Sequence, residues 1–170
     1  NITKYRTGFR KLGKTAFLGH LEFKTAFERA VRRSGLPVRF SEGHNPQMKI
    51  SYGPPMPLGV ESMSEWLDLE LAKRLNEEEI AAKLNESLIP EVEIFSVYKI
   101  PRKFLSIPGA LKRYDFKINL QPLFDKGIIT PEQARLKVDD FQEKESIFVE
   151  RKSKKGPITV NLKEITTSIA

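Results

Sequence analysis

At 170 residues, with 39% hydrophobic and 30% charged side chains, the chain is long enough for one large domain or two small ones around a real core. It has no cysteine, which excludes disulfides, thiolate zinc sites, a cysteine nucleophile and an iron–sulfur cluster held by its own thiolates. No apolar run approaches the roughly 18 residues that span a bilayer and no leader pattern opens the sequence, so a cytoplasmic protein without a membrane partner is expected.

The net charge of +7 is local. Residues 1–55 carry eleven Lys/Arg against three acids, residues 56–98 three against ten, and residues 99–170 fifteen against nine. The first stretch is therefore the one expected to face a polyanion, and the second to face away from it.

Residues 3–18 read as a strand or hairpin broken at Gly8 and Gly13. A helix follows from near His20, because Phe23, Ala26, Phe27 and Ala30 repeat at helical spacing. Gly35 and Pro37 end it. Val38-Arg-Phe40 is a short strand candidate, Ser41-Glu-Gly-His-Asn-Pro46 a loop dense in turn formers, and Met48–Tyr52 a half-buried strand. Pro54, Pro55 and Pro57 force an extended crossing.

Trp66, Leu67, Leu69 and Leu71 mark the next strand, with Trp66 expected in the core and Asp68 and Glu70 on the opposite face. Asn76 caps a helix whose first turn holds Glu77, Glu78 and Glu79, and whose buried side is expected to be Ile80, Leu84 and the Leu88/Ile89 pair. Val92–Ile100 closes the unit as a strand. The succession β-α-β-β-α-β is the split ferredoxin-like arrangement.

In the second half, Tyr114, Phe116, Ile118 and Leu120 alternate as a strand. Thr130-Pro-Glu-Gln opens a helix with a capping box and Pro in its first turn. Ile147-Phe-Val149 and Ile158-Thr-Val160 flank the basic hairpin tip Arg151-Lys-Ser-Lys-Lys-Gly156.

His20 stands at a strand–helix junction, where an imidazole can act as general base, contact phosphate or cap the helix. Arg29, Arg32 and Arg33 are helical neighbours whose guanidinium forks suit phosphates, or form a solvated face. Arg39 and Lys49, beside Phe40 and Tyr52, extend them toward a surface that holds phosphates and stacks bases. Gly43 frees the backbone of the 41–46 loop, where His44 and Asn45 offer hydrogen bonds; the same loop also reads as a plain connection. Arg151, Lys154 and Lys155 form either an RNA-groove probe or a solvated tip. Glu61 and Glu65 lack the surrounding ligands of a hard-cation site, so neither a metal nor any other cofactor is expected.

Phe17-Leu-Gly-His-Leu-Glu, Phe27-Glu-Arg-Ala-Val-Arg-Arg-Ser-Gly-Leu-Pro, Phe40-Ser-Glu-Gly-His-Asn-Pro-Gln-Met-Lys-Ile-Ser and Pro57-Leu-Gly-Val-Glu-Ser, in that order, resemble the bacterial radical SAM-linked protein family, a domain of unknown function encoded beside or fused to radical SAM proteins. The resemblance implies a radical SAM protein as partner, which would itself hold the cluster.

The expectation is therefore an α+β protein with a ferredoxin-like basic unit at 1–101 and a smaller β-rich α/β unit at 102–170 packed against it. Its expected role is a non-catalytic RNA-binding or substrate-presenting accessory to a radical SAM partner. Two alternatives stand: a metal-independent RNA-processing enzyme using His20, and a protein–protein adaptor docking on the radical SAM protein.

Overall fold

β1 (Thr3–Lys11) is apolar or small at nearly every position of one face, and seven of its nine residues are buried. A strand covered on both faces belongs at the centre of a sheet. β1 pairs antiparallel with both β3 (Ser62–Leu71) and β4 (Val92–Ile100), and β2 (Ile50–Tyr52) adds to the far edge of β3. The order is β2-β3-β1-β4. The structure, a computed structural model, describes residues 2–153 and 156–169, and the chain divides into two compact units, Asn1–Tyr114 and Asp115–Ala170. Six helices accompany the four-stranded sheet and a two-stranded hairpin among the described residues, an α+β architecture.

Helices α1 (His20–Arg33) and α2 (Glu77–Ser87) supply the core against one face of the sheet. Phe23, Phe27 and Val31 from α1 and Ile80 and Leu84 from α2 meet Tyr5, Phe9, Leu67, Leu69 and Leu71. Phe9 stacks on Phe23 with centroids 5.5 Å apart, and Phe27 lies 5.7 Å from Phe9. The Asn76 side chain accepts from the N–H of Glu78 at 2.8 Å, so the expected cap is present. Buried Tyr5 donates its hydroxyl to the Leu75 carbonyl at 2.7 Å and fixes the entry to α2. Asn85 clips α2 to β4 through both the N–H and the C=O of Ile94.

β4 contains the detail that sets up the opposite face. Gly8 pairs with Ser96 and Phe9 with Ile94, so Phe95 is an extra residue in the ladder. Such a bulge shifts the parity of a strand and re-aims a side chain. Ile94 and Val97 both enter the core, and the Phe95 ring swings over Gly8. A Cβ at Gly8 would lie 2.7 Å from that ring and 2.6 Å from Ser96 Oγ, so any larger residue must push those side chains aside.

Beyond β4 the chain folds back. The strap 101–111 includes the short helix α3 (Ile107–Ala110), whose Ile107 is buried. Gly53 makes room for it: a Cβ there would come within 3.2 Å of Ile107 Cγ2.

Three expectations differ from the structure. Val38–Phe40 forms only single bridges, Val38 to Leu71 and Phe40 to Met48. Trp66 is not in the core; it pairs with Gly8 and projects from the face away from the helices, half-buried. Tyr114–Leu120 forms no strand, because alternation assigns side chains to faces, while a ladder also needs a partner edge in register.

The second unit contains α4 (Gln121–Asp125), α5 (Pro131–Glu143), the hairpin of β5 (Phe148–Ser153) and β6 (Gly156–Asn161), and α6 (Leu162–Ile165). The capping box at Thr130 and Gln133 opens α5 as expected. With no strand at 114–120, α5 is its longest element and the unit is richer in helix than the β-rich expectation.

Candidate functional site

The expected binding residues spread over several surfaces. His20 is the exposed first residue of α1, its ring 6.1 Å from that of Tyr52. Arg32 and Arg33 occupy the last turn of the same helix, about 18 Å away at the helical rise. Arg32 lies 5.8 Å from the Phe40 ring centroid, and Arg33 donates to the Ser87 carbonyl at 2.8 Å. Arg29 is exposed on the outer side of α1, beside Leu21, Glu22, Thr25 and Ala26. Arg39 pairs with Glu70 at 3.0 Å.

Lys49 lines a cavity of about 190 Å³ with Lys4, Ser41 and Gln47, and the carboxylates of Asp68 and Glu70 on its wall offset those cations. His44 and Asn45 are exposed in the 41–46 loop, where Asn45 Oδ1 accepts from Gln47 Nε2 at 3.3 Å. Arg151 is exposed on β5 opposite Ile158. Lys154 and Lys155 lie outside the described residues. Phe40 thus brings Arg32 close to the 39–49 region.

A denser constellation lies on the sheet face away from α1 and α2. Trp66 from β3 and Phe95 and Tyr98 from β4 flank β1 on either side, and normally two strands separated by a third are too far apart for their side chains to meet. They meet above Gly8. Trp66 stacks on Tyr98 (centroids 6.3 Å, planes 22° apart) and meets Phe95 edge-on at 5.7 Å. Arg10 sits over Phe95 at 5.7 Å while paired with Glu93.

At the other end of this face Asp68, only 3% exposed, accepts from Arg6 at 2.8 and 3.1 Å and pairs with Lys4 at 3.1 Å. Burial of such a carboxylate demands this pairing. Arg6 also donates to the Leu105 carbonyl at 2.6 Å and lies 5.2 Å from the Phe104 ring, which ties the strap to the sheet. Between strap and sheet is a cavity of about 390 Å³ walled by Trp66, Tyr98, Phe104, Ile107 and Leu111, with Arg6 at its base. Residues 99–114 carry Lys99, Arg102, Lys103, Lys112 and Arg113 and no acid. Sequence reasoning assigned Trp66 to the core and passed over Phe95, Tyr98 and Phe104. The readable signal was this acid-free, aromatic run directly after a strand.

Trp66 also borders a water-sized cavity of about 30 Å³ on the helix side, with Lys11, His20, Tyr52 and Glu65. Burial lowers the Lys11 amine below its ordinary pKa, against the pull of Glu65. Burial likewise raises the Glu65 carboxyl, with Ser62 and Lys11 opposing, and raises the Tyr52 phenol, helped by Glu28. Lys11 also sits over the Phe23 ring at 5.2 Å and donates to the Leu18 carbonyl at 3.2 Å. These groups terminate the core in a polar plug. Among the described residues no cluster of three or more His, Asp or Glu is placed to hold a metal ion, and no helix is long and apolar enough to cross a membrane.

Residues 4–170 match the profile of a family described as an uncharacterized protein conserved in bacteria (DUF2344). No curated protein matches the chain.

Proposed function

The chain belongs to the bacterial DUF2344 family, and from that premise we propose that it is a non-catalytic module that binds single-stranded RNA and serves a radical SAM partner. The observation that carries the reading is the ring cluster of Trp66, Phe95 and Tyr98 on the sheet face away from the helices, bordered by the acid-free strap. Four-stranded sheets that carry aromatic side chains on an uncovered face stack unpaired bases there, and cations beside them hold the phosphates. The order β2-β3-β1-β4 with two helices on one face supports taking the first unit as ferredoxin-like. The radical SAM partner rests on the motif resemblance, and the absence of cysteine makes the cluster the partner's to supply. Arg29 and Arg32 would add phosphate contacts from α1, and Lys49 from the cavity it shares with Lys4.

Trp66 is the only tryptophan, so its fluorescence reports on the face directly. Titration with a single-stranded oligoribonucleotide should quench it, and log affinity should fall with log salt at roughly 0.7 per neutralised phosphate. Unchanged emission together with no measurable binding at low salt removes the reading. Co-purification with a radical SAM protein, free of nucleic acid, would favour the adaptor alternative instead.

A further inference from the structure

We propose that the cavity beneath the strap captures one unstacked purine base of the bound strand; the inference rests on the RNA reading and adds where a base goes. About 390 Å³ is within the size range of small-ligand pockets. Its walls are flat and apolar, and its one charged group is already committed: Arg6 is held by both oxygens of Asp68 and by the Leu105 carbonyl. An isolated phosphate inside would find no free cation. Lys99, Arg102, Lys103 and Lys112 are all exposed around the strap, where phosphates can be met in water. The cavity and its border thus separate a nucleotide into a ring that enters and a phosphate that stays outside.

Tyr98 is 56% exposed and already stacked on Trp66, so a base laid on its free side lengthens an existing stack. Phe104, 46% exposed, adds a second aromatic ring to the lining. The larger ring system of a purine covers more of these faces than a pyrimidine does. Apart from the Tyr98 hydroxyl, the polar groups of the lining side chains are committed, Arg6 to Asp68 and Leu105 and Trp66 Nε1 to Ser64. The cavity therefore reads the size of a base more than its edge and accepts adenine and guanine alike.

The test uses a short uridine oligonucleotide with one central fluorescent aminopurine, and its counterpart abasic at that position. With the full chain, aminopurine emission should fall several-fold on binding, and the abasic strand should bind about tenfold more weakly. Ala110→Phe, which fills the cavity, should abolish the quench and make the two strands bind equally. Phe104→Ala, which removes a wall at an exposed position, should also narrow the difference and serves if Ala110→Phe misfolds. Binding of both strands with equal affinity and unquenched aminopurine overturns the cavity assignment and leaves the RNA reading standing. No binding of either strand overturns both.

Discussion

The two faces of one sheet hold similar aromatic side chains to opposite ends. On the helix side Phe9, Phe23 and Phe27 are no more than 7% exposed and locked into the core. On the strap side Phe95, Tyr98 and Phe104 are 39–56% exposed, clustered about Trp66 and a missing side chain at Gly8. Rings that stabilise are packed all round. Rings kept half in water contribute little to folding and are available for a ligand. The comparison teaches that exposure, more than residue type, separates architecture from function here.

The strongest way to break this comparison is Phe27→Ala against Tyr98→Ala. The first should cost roughly 3–5 kcal/mol by cavity formation, read by urea unfolding. The second should change stability by less than about 1 kcal/mol yet remove roughly 1–3 kcal/mol of RNA affinity. Equal stability losses would erase the distinction between the faces.

Asp68→Ala comes next, because it strands Arg6 and Lys4 on the strap side without their shared carboxylate. A loss of about 3 kcal/mol is expected, and protease cleavage within 101–111 should accelerate as the Arg6 anchor loosens. Gly8→Ala should cost roughly 1–3 kcal/mol by forcing the Phe95 ring aside, and the Trp66 emission spectrum should shift with it. An unaltered spectrum would mean that the rings do not depend on that vacancy.

The smallest effect sharpens the covered face. The folded-state pKa of Glu65 is raised, so the folded chain holds that proton more tightly than the unfolded one. This contribution is complete below the ordinary glutamate range and is lost as pH rises through the folded-state value. Glu65→Gln should therefore match the natural chain in acid and gain relative stability toward neutrality. A difference in unfolding midpoint that does not vary with pH would contradict the shift.

Much of the first unit was legible because local signals and burial agree. Asn76 with three following glutamates marked α2, and Val92–Ile100 was bounded by its own apolar ends. Even the bulge leaves a trace, since the apolar positions Val92, Ile94 and Val97 break step once. The ring cluster was not legible, because it joins β3 and β4 across β1 and depends on sheet order. Trp66 looked like core since large aromatic residues usually are. Tyr114–Leu120 failed for the complementary reason: its alternation has the period of a strand but carries no information about a partner edge. The basic residues of α1 were correctly placed on a helix, yet their spacing could not reveal that Arg33 is bound to α2 or that Arg39 faces Glu70.

Among the described residues of 115–169, no side chain is buried. Opening that segment consequently releases little hidden surface, so it should take up little heat capacity and respond weakly to urea. Amide hydrogens in β5 and β6 should exchange with solvent through small local fluctuations, at rates nearly independent of denaturant. Those of β1 should wait for the whole first unit to unfold, and the two clocks run in one chain.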